Sequence, residues 1–304
     1  MKLTELKKTA KIVGIEFIKF VKPNCLYMIW FVLYFTIAWY ILGADLHSFT
    51  FVLVIYGGSV AIALSPMGEY VLRLIKNYRR PSTQQEKEYL LPLFEEVLEN
   101  AKQIDPKLSD NISILIMDDM FVNSLAAGRR TIAVTRGAIA TFTADELKGI
   151  LAHELGHISH GHTKAVMLTT VGNLLFTGLV WLLKMIFVIA ELILRMVERF
   201  QIVFTILKFV TIFIRFMIDL SMIIFVHLSE IILALNSRAN DIQADKFAYE
   251  VGYGKELISG LYVLQKISIN AKTTLLDRIK APHPHVSIRL EHLENLENGE
   301  TPEQ

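Results

Sequence analysis

TADELKGILAHELGHISHGHT, residues Thr143 to Thr163, contains His153-Glu154-Leu155-Gly156-His157, an H-E-x-x-H pattern. On an α-helix, side chains four residues apart leave from one face, so both imidazoles can turn a ring nitrogen to one metal ion. Glu154 comes next round the helix from the first histidine. It sits beside such an ion, placed to take a proton from a water and pass it to a leaving amine. Thr143 and Glu146 have capping-box spacing, while Ile150, Leu151 and Leu155 give the segment an apolar side. The spacing predicts a helix with a metal-binding face. Two histidines do not complete a site, so a third ligand has to come from elsewhere.

The chain's 304 residues suffice for one sizeable soluble domain plus membrane segments. Hydrophobic residues make up 53%, mean hydropathy is +0.42, and the apolar residues come in blocks. A formal net charge of +1 indicates no nucleic-acid partner. Cys25 is the only cysteine, which excludes an internal disulfide and a cysteine-rich metal cluster. A metal site here must use histidine and carboxylate.

Working outward, residues 1–70 read as a basic segment followed by a membrane hairpin. Lys2, Lys7, Lys8, Lys11, Lys19 and Lys22 precede an uncharged block from Leu26 to Leu42, and a second runs from Phe49 to Pro66. The apolar block continues without a small-residue cleavage site, which reads as an uncleaved anchor. Lysines before the pair, Arg73, Lys76, Arg79 and Arg80 after it, and no Lys or Arg between place both flanks in the cytoplasm. Residues 71–164 read as soluble. They hold an amphipathic helix over Pro81–Gln103 with Leu90, Leu91, Phe94, Val97 and Leu98 on its apolar side, and strands over Ile112–Met117 and Thr131–Thr135. The second strand, just before the histidine helix, is placed to pair with an extended peptide.

Residues 165–235 are again apolar. Ala165–Ala190 and Met217–Leu235 read as spans forming a second hairpin. Between them, Glu191–Phe216 carries Gln201, Lys208 and Arg215 seven apart, which reads as an interfacial or protein-buried helix. Asp219 and Glu230 read as charges reaching headgroups from near span ends. Residues 236–304 bring an acid-rich helix, Asn236–Phe247, with Asp241 and Asp245 four apart as candidates for the missing ligand. His160 and His162 read as solvent-facing or structural.

At this point the chain resembles the HtpX-like and CAAX-prenyl-protease-type membrane zinc metalloproteases. The likeness rests on HELGH at 153–157, Ser-Arg-x-x-acid-x-x-Ala-Asp at 237–245, and His283-Pro284 with Arg289, Leu290 and Leu293. Asn123 and the strand ending at Gly137 resemble the segment before that family's zinc helix. The resemblance implies one zinc ion held by His153, His157 and Asp241, with Glu154 as general base. It implies that Asp245 orients His153, and that His283 lies near the cleft to donate to the oxyanion. The family usually has glutamate where this chain has Asp241, so the acid's helix must lie closer to the metal, and glutamate there should be tolerated or improve binding. The fold class expected is mainly α with a small β-sheet: a polytopic membrane protein with a zincin-like cytoplasmic metalloprotease domain. The implied function is a zinc endopeptidase of the inner cell membrane, acting on membrane or misfolded polypeptides in quality control under stress. A prenyl-protein-processing protease and a non-catalytic zinc-binding scaffold or sensor are the alternatives.

Overall fold

The computed structural model describes residues 25–195, 201–269 and 285–299. Helix α1 (Cys25–Ile41) and helix α2 (Leu46–Ala63) form the first hairpin, and α2 opens on Asp45, whose carboxylate accepts from the Ser48 amide at 2.7 Å. A short helix α3 (Pro66–Ile75) leads into the soluble part.

Helix α4 (Gln84–Ile104) is capped by Thr83 and Glu86 and buries Leu90, Phe94, Val97, Leu98 and Ala101. Leu91, expected on that face, stays 36% exposed. Strands β1 (Ser113–Met117), β2 (Ser124–Ala127) and β3 (Thr131–Thr135) form one sheet in the order β1-β3-β2. β3 runs parallel to β1 and antiparallel to β2. The strand expected to receive a peptide is therefore the central one, its hydrogen bonds already taken on both sides. The edge nearest the histidine helix belongs to β2. Its sequence SLAA lacks the β-branched run that marks a strand, so it reads as part of a turn.

Helix α5 (Arg136–Thr141) hands over to α6 (Ala144–His160), which carries the H-E-x-x-H residues. Thr143 and Glu146 form the expected capping box, with the Thr143 amide donating to Glu146 at 2.9 Å. Leu147, Leu151 and Leu155 are wholly buried in a core shared with α4, the sheet, α9 (Gln201–Glu250), α10 (Gly254–Ile269) and α11 (Val286–Glu297). Glycine is required at one point in that packing: a Cβ on Gly149 would lie 2.3 Å from the Leu257 backbone nitrogen of α10.

After α6, a short helix α7 (Thr163–Met167) and a π-helical turn (Leu168–Gly172) lead into α8 (Asn173–Arg195). The three apolar blocks of 165–235 fall, among the described residues, on two long helices, with 191–195 at the end of α8 and 201–216 at the start of α9. The reason is local. No glycine or proline occurs between Gln201 and Glu250, so nothing breaks the helix at Phe216 or at Leu235. Among the described residues, Leu46–Ala63 and Thr205–Ser229 are long and apolar enough to cross a membrane. Asp219 does not reach away from the bundle: it pairs with Lys184 of α8, and Arg215 donates to Glu191 at 3.1 Å. Opposite charges on two apolar helices find one another because the alternative is costly unpaired charge. The Glu230 side chain lies outside what is described. Tyr34 of α1 packs on Phe225 of α9 with ring centroids 4.0 Å apart, joining the first hairpin to the second.

Candidate metal centre

α6 and α9 cross where Gly156 meets Ala244, and a Cβ on Gly156 would lie 2.9 Å from the Ala244 Cα. That close approach lets a side chain as short as aspartate reach the histidines. Asp241 is wholly buried, and its Oδ1 lies 3.2 Å from His157 Nε2 and 3.7 Å from His153 Nε2. The two Nε2 atoms are 3.2 Å apart. Three ligands around a tetrahedral zinc, each at ~2.0–2.2 Å, sit ~3.3–3.5 Å from one another. The triangle formed by His153, His157 and Asp241 has that size.

The ring tautomers agree with it. Asp245 Oδ1 lies 2.7 Å from His153 Nδ1, so that nitrogen carries the proton and Nε2 presents a lone pair. Beyond the end of α6, Gly161 adopts φ of +73° and turns the chain back, with the His162 amide donating to the His157 carbonyl. The turn sets His162 Nδ1 3.1 Å from His157 Nδ1 and His162 Nε2 3.1 Å from Gln243 Oε1. A carbonyl oxygen only accepts, so His162 donates from Nε2 and accepts at Nδ1. His157 must then donate from Nδ1, which leaves its Nε2 lone pair facing Asp241. Both rings are thus oriented for a cation by groups behind them.

Asp245 is held in turn by Arg289 of α11, whose Nη2 and Nε donate to its two oxygens at 2.6 and 2.9 Å. Burial would raise the Asp245 carboxyl, but the Arg289 guanidinium and His153 outweigh it and hold it well below the usual carboxylate range. Burial, together with the neighbouring His157 and His160, pushes the His162 imidazole down to about 3, so it stays neutral. Glu154, 3% exposed, accepts from the Ser124 hydroxyl of β2 at 2.5 Å. Asn123, Ser124, His153, Glu154 and Arg289 line one cleft with the apolar Phe142 and Leu264.

The structure thus brings together His153, Glu154, His157, Asp241 and Asp245; His283 lies outside the described residues. His160 is exposed at the helix end, as expected. His162 takes the structural alternative: it is 8% exposed and touches a candidate ligand. Its signal in the sequence is the glycine before it, which ends the helix and folds the next side chain back. Arg289 stands out as a lone charge between Ile288 and Leu290 beside buried Leu293, and Ser124 carries no signal at all.

Two outcomes follow from this packing. His162→Leu is expected to weaken zinc binding by ~10- to 100-fold without unfolding the chain, measured by competition with a chromogenic chelator. Gly156→Ala is expected to wedge α6 from α9 and cost about 1–3 kcal/mol of stability, read as a lower melting temperature of chelator-treated protein.

A family model described as Peptidase family M48 matches residues 84–297, a stretch that contains every member of this cluster. The protease HtpX homologue of Dictyoglomus turgidum is 29% identical over 140 residues, 44% of this chain and 42% of that protein. The protease HtpX homologue of Methylacidiphilum infernorum is 26% identical over 274 residues, 83% of this chain and 86% of that protein. The chain therefore spans less than half of the first relative and most of the second. A solved structure of S. mikatae Ste24p aligns with a TM-score of 0.48 at 18% identity, over 94% of this chain and 67% of that one. The matched region begins at α4 and ends at α11, enclosing the sheet, the histidine helix and the acid-bearing end of α9, and on that match this chain belongs to peptidase family M48.

Proposed function

We propose that the chain is a membrane-anchored zinc endopeptidase. The observation that carries this reading is the convergence of His153 Nε2, His157 Nε2 and Asp241 Oδ1 within 3.2–3.7 Å, with both rings turned to present lone pairs. Zinc held by these three residues would polarise a scissile carbonyl and make a water acidic. Glu154 would be the group that accepts a proton from such a water and passes it to the departing amine, and the Ser124 hydroxyl holds the carboxylate's orientation. Asp245 and Arg289 keep His153 in its ligating tautomer, and His162 does the same for His157. The unpaired edge of β2 offers main-chain groups to an extended polypeptide, in place of the central strand. Phe142 and Leu264 give the cleft an apolar wall for a side chain.

Family membership and the names of the relatives support the protease reading. The apolar α2 and α9 support the membrane anchor, and the basic residues flanking the first hairpin favour a catalytic half that faces the cytoplasm. His157 and Asp241 share one cluster, so α8 and the first part of α9 cross out and back. α9 has 50 residues, ~75 Å of helix, against a hydrocarbon core of ~30 Å. One rigid element therefore spans the bilayer and carries Asp241. Misfolded or membrane polypeptides are the substrates this placement favours. A scaffold without activity has no use for a buried carboxylate beside the metal, which weighs against that alternative. Purified protein is expected to degrade casein, and to stop in the presence of a zinc chelator. Zinc-loaded protein that leaves casein intact would sink the reading.

A further inference from the structure

Helix α3 is apolar on its outer side as well as its inner one. Leu72 is buried in the core, but Met67, Tyr70 and Leu74, at helical spacing, form a second apolar stripe that faces away from the chain, 61%, 59% and 62% exposed, with Ile75 50% exposed beside it. Its charges face inward, with the side chains of Glu69 and Arg73 only 12% and 26% exposed. Both are satisfied there by the β2–β3 turn. Glu69 accepts from the Arg129 amide at 2.7 Å and the Thr131 hydroxyl at 3.1 Å. Arg73 donates to the same hydroxyl at 2.7 Å and to the Arg130 carbonyl at 3.2 Å. Gly128, at φ of +62°, makes room for this grip, since a Cβ there would lie 2.3 Å from the Glu69 carboxyl. Thr163, at the start of α7, holds the turn from another side by donating to the Gly128 carbonyl.

The position of α3 along the chain says what lies against its outer stripe. α2 has 18 residues, ~27 Å of helix, close to the ~30 Å of a hydrocarbon core. α3 starts three residues after α2 ends. Gly68 permits the bend, because a Cβ there would lie 2.4 Å from the Ala63 carbonyl oxygen. A helix that leaves a span at the bilayer's edge, with its charges consumed inward and apolar side chains outward, matches the boundary between headgroups and acyl chains.

We propose that α3 lies in the bilayer interface through Met67, Tyr70 and Leu74, and that Glu69 and Arg73 tie the β2–β3 turn to it. β2 also carries Ser124, the residue bonded to Glu154. The lipid surface thereby fixes the height of the substrate edge, so that an extended segment emerging from the membrane meets β2 directly. This inference rests on α2 being a membrane span, and its test separates the two.

The full chain carrying Cys25→Ser receives one bimane label at Leu74→Cys, Val54→Cys or Glu88→Cys. Each is placed in phosphatidylcholine–phosphatidylglycerol vesicles containing nitroxide lipids labelled either near the top or near the end of the acyl chain. At position 74 the label is expected to lose roughly half its emission to the shallow nitroxide and little to the deep one. At position 54, on the outer face of α2, the order reverses, and position 88 responds to neither. Quenching at 54 with none at 74 overturns the inference while leaving the anchor intact. If 74 is also shielded from aqueous iodide, protein covers that face instead, a second copy included. Silence at both 54 and 74 removes the membrane reading and this inference together. The readout does not depend on cleavage, so failure of the protease chemistry leaves it unaffected.

Discussion

Glu154→Gln is expected to bind one zinc per chain and yet cleave casein ~10²- to 10⁴-fold more slowly than wild type, because an amide cannot accept the water's proton. The substitution is nearly isosteric, and the side-chain amide keeps an oxygen that can accept from Ser124, now 2.5 Å from Glu154 Oε1. The fold and the His153–His157–Asp241 triangle should therefore survive. Metal content by elemental analysis and cleavage of a fluorogenic casein are measured on the same preparation. Near wild-type cleavage with zinc bound would remove Glu154 from the chemistry. Loss of zinc along with activity would mean that Glu154 holds the metal.

Asp241→Ala is expected to lose both. Among the described residues it removes the one carboxylate that the metal cluster holds against both Nε2 atoms, and leaves the cation with two neutral ligands. Asp245→Ala should be milder, about 10- to 100-fold in zinc affinity or activity, since His153 keeps its position in α6 but loses the group that fixes its tautomer. Asp241→Glu, which family likeness alone would favour, is expected to bind zinc less tightly than wild type. Asp241 is already fully buried at a helix crossing tightened by Gly156 against Ala244, so an extra methylene has no room. Competition titration against a calibrated chelator orders the three variants. Full zinc occupancy in Asp241→Ala would show that another residue completes the site.

The parts of this site that were legible in sequence are those that depend on local spacing. H-E-x-x-H on a capped helix needs only 3.6-residue periodicity, and both the helix and the facing histidines are where that periodicity puts them. The acid-rich helix was legible as a source of the third ligand, but the choice of Asp241 over Asp245 came only through likeness to a family, because its approach to α6 is set by a helix crossing remote in sequence. His162 was noticed, but its contact with His157 was not, because its place depends on one left-handed glycine after the helix. Ser124 escaped notice because a four-residue strand of small residues has no signature apart from the sheet that it joins. The helix ends in the apolar region were hard to place for a related reason. Charges within apolar stretches suggested separate blocks, whereas Lys184 with Asp219 and Glu191 with Arg215 neutralise one another across two continuous helices. Arg289 was visible as a residue of a family pattern, but its grip on Asp245 joins segments 44 residues apart and is written in no local rule.

Zinc-dependent recovery of activity tests the central claim most directly. Wild-type protein in detergent is stripped with a chelator, dialysed, and titrated with zinc while casein cleavage and bound metal are followed together. The expected result is no cleavage by the stripped protein and a linear rise that saturates at one zinc per chain. Undiminished cleavage by protein shown to be free of metal, or full zinc occupancy without any cleavage, would contradict a zinc peptidase built on His153, His157 and Asp241.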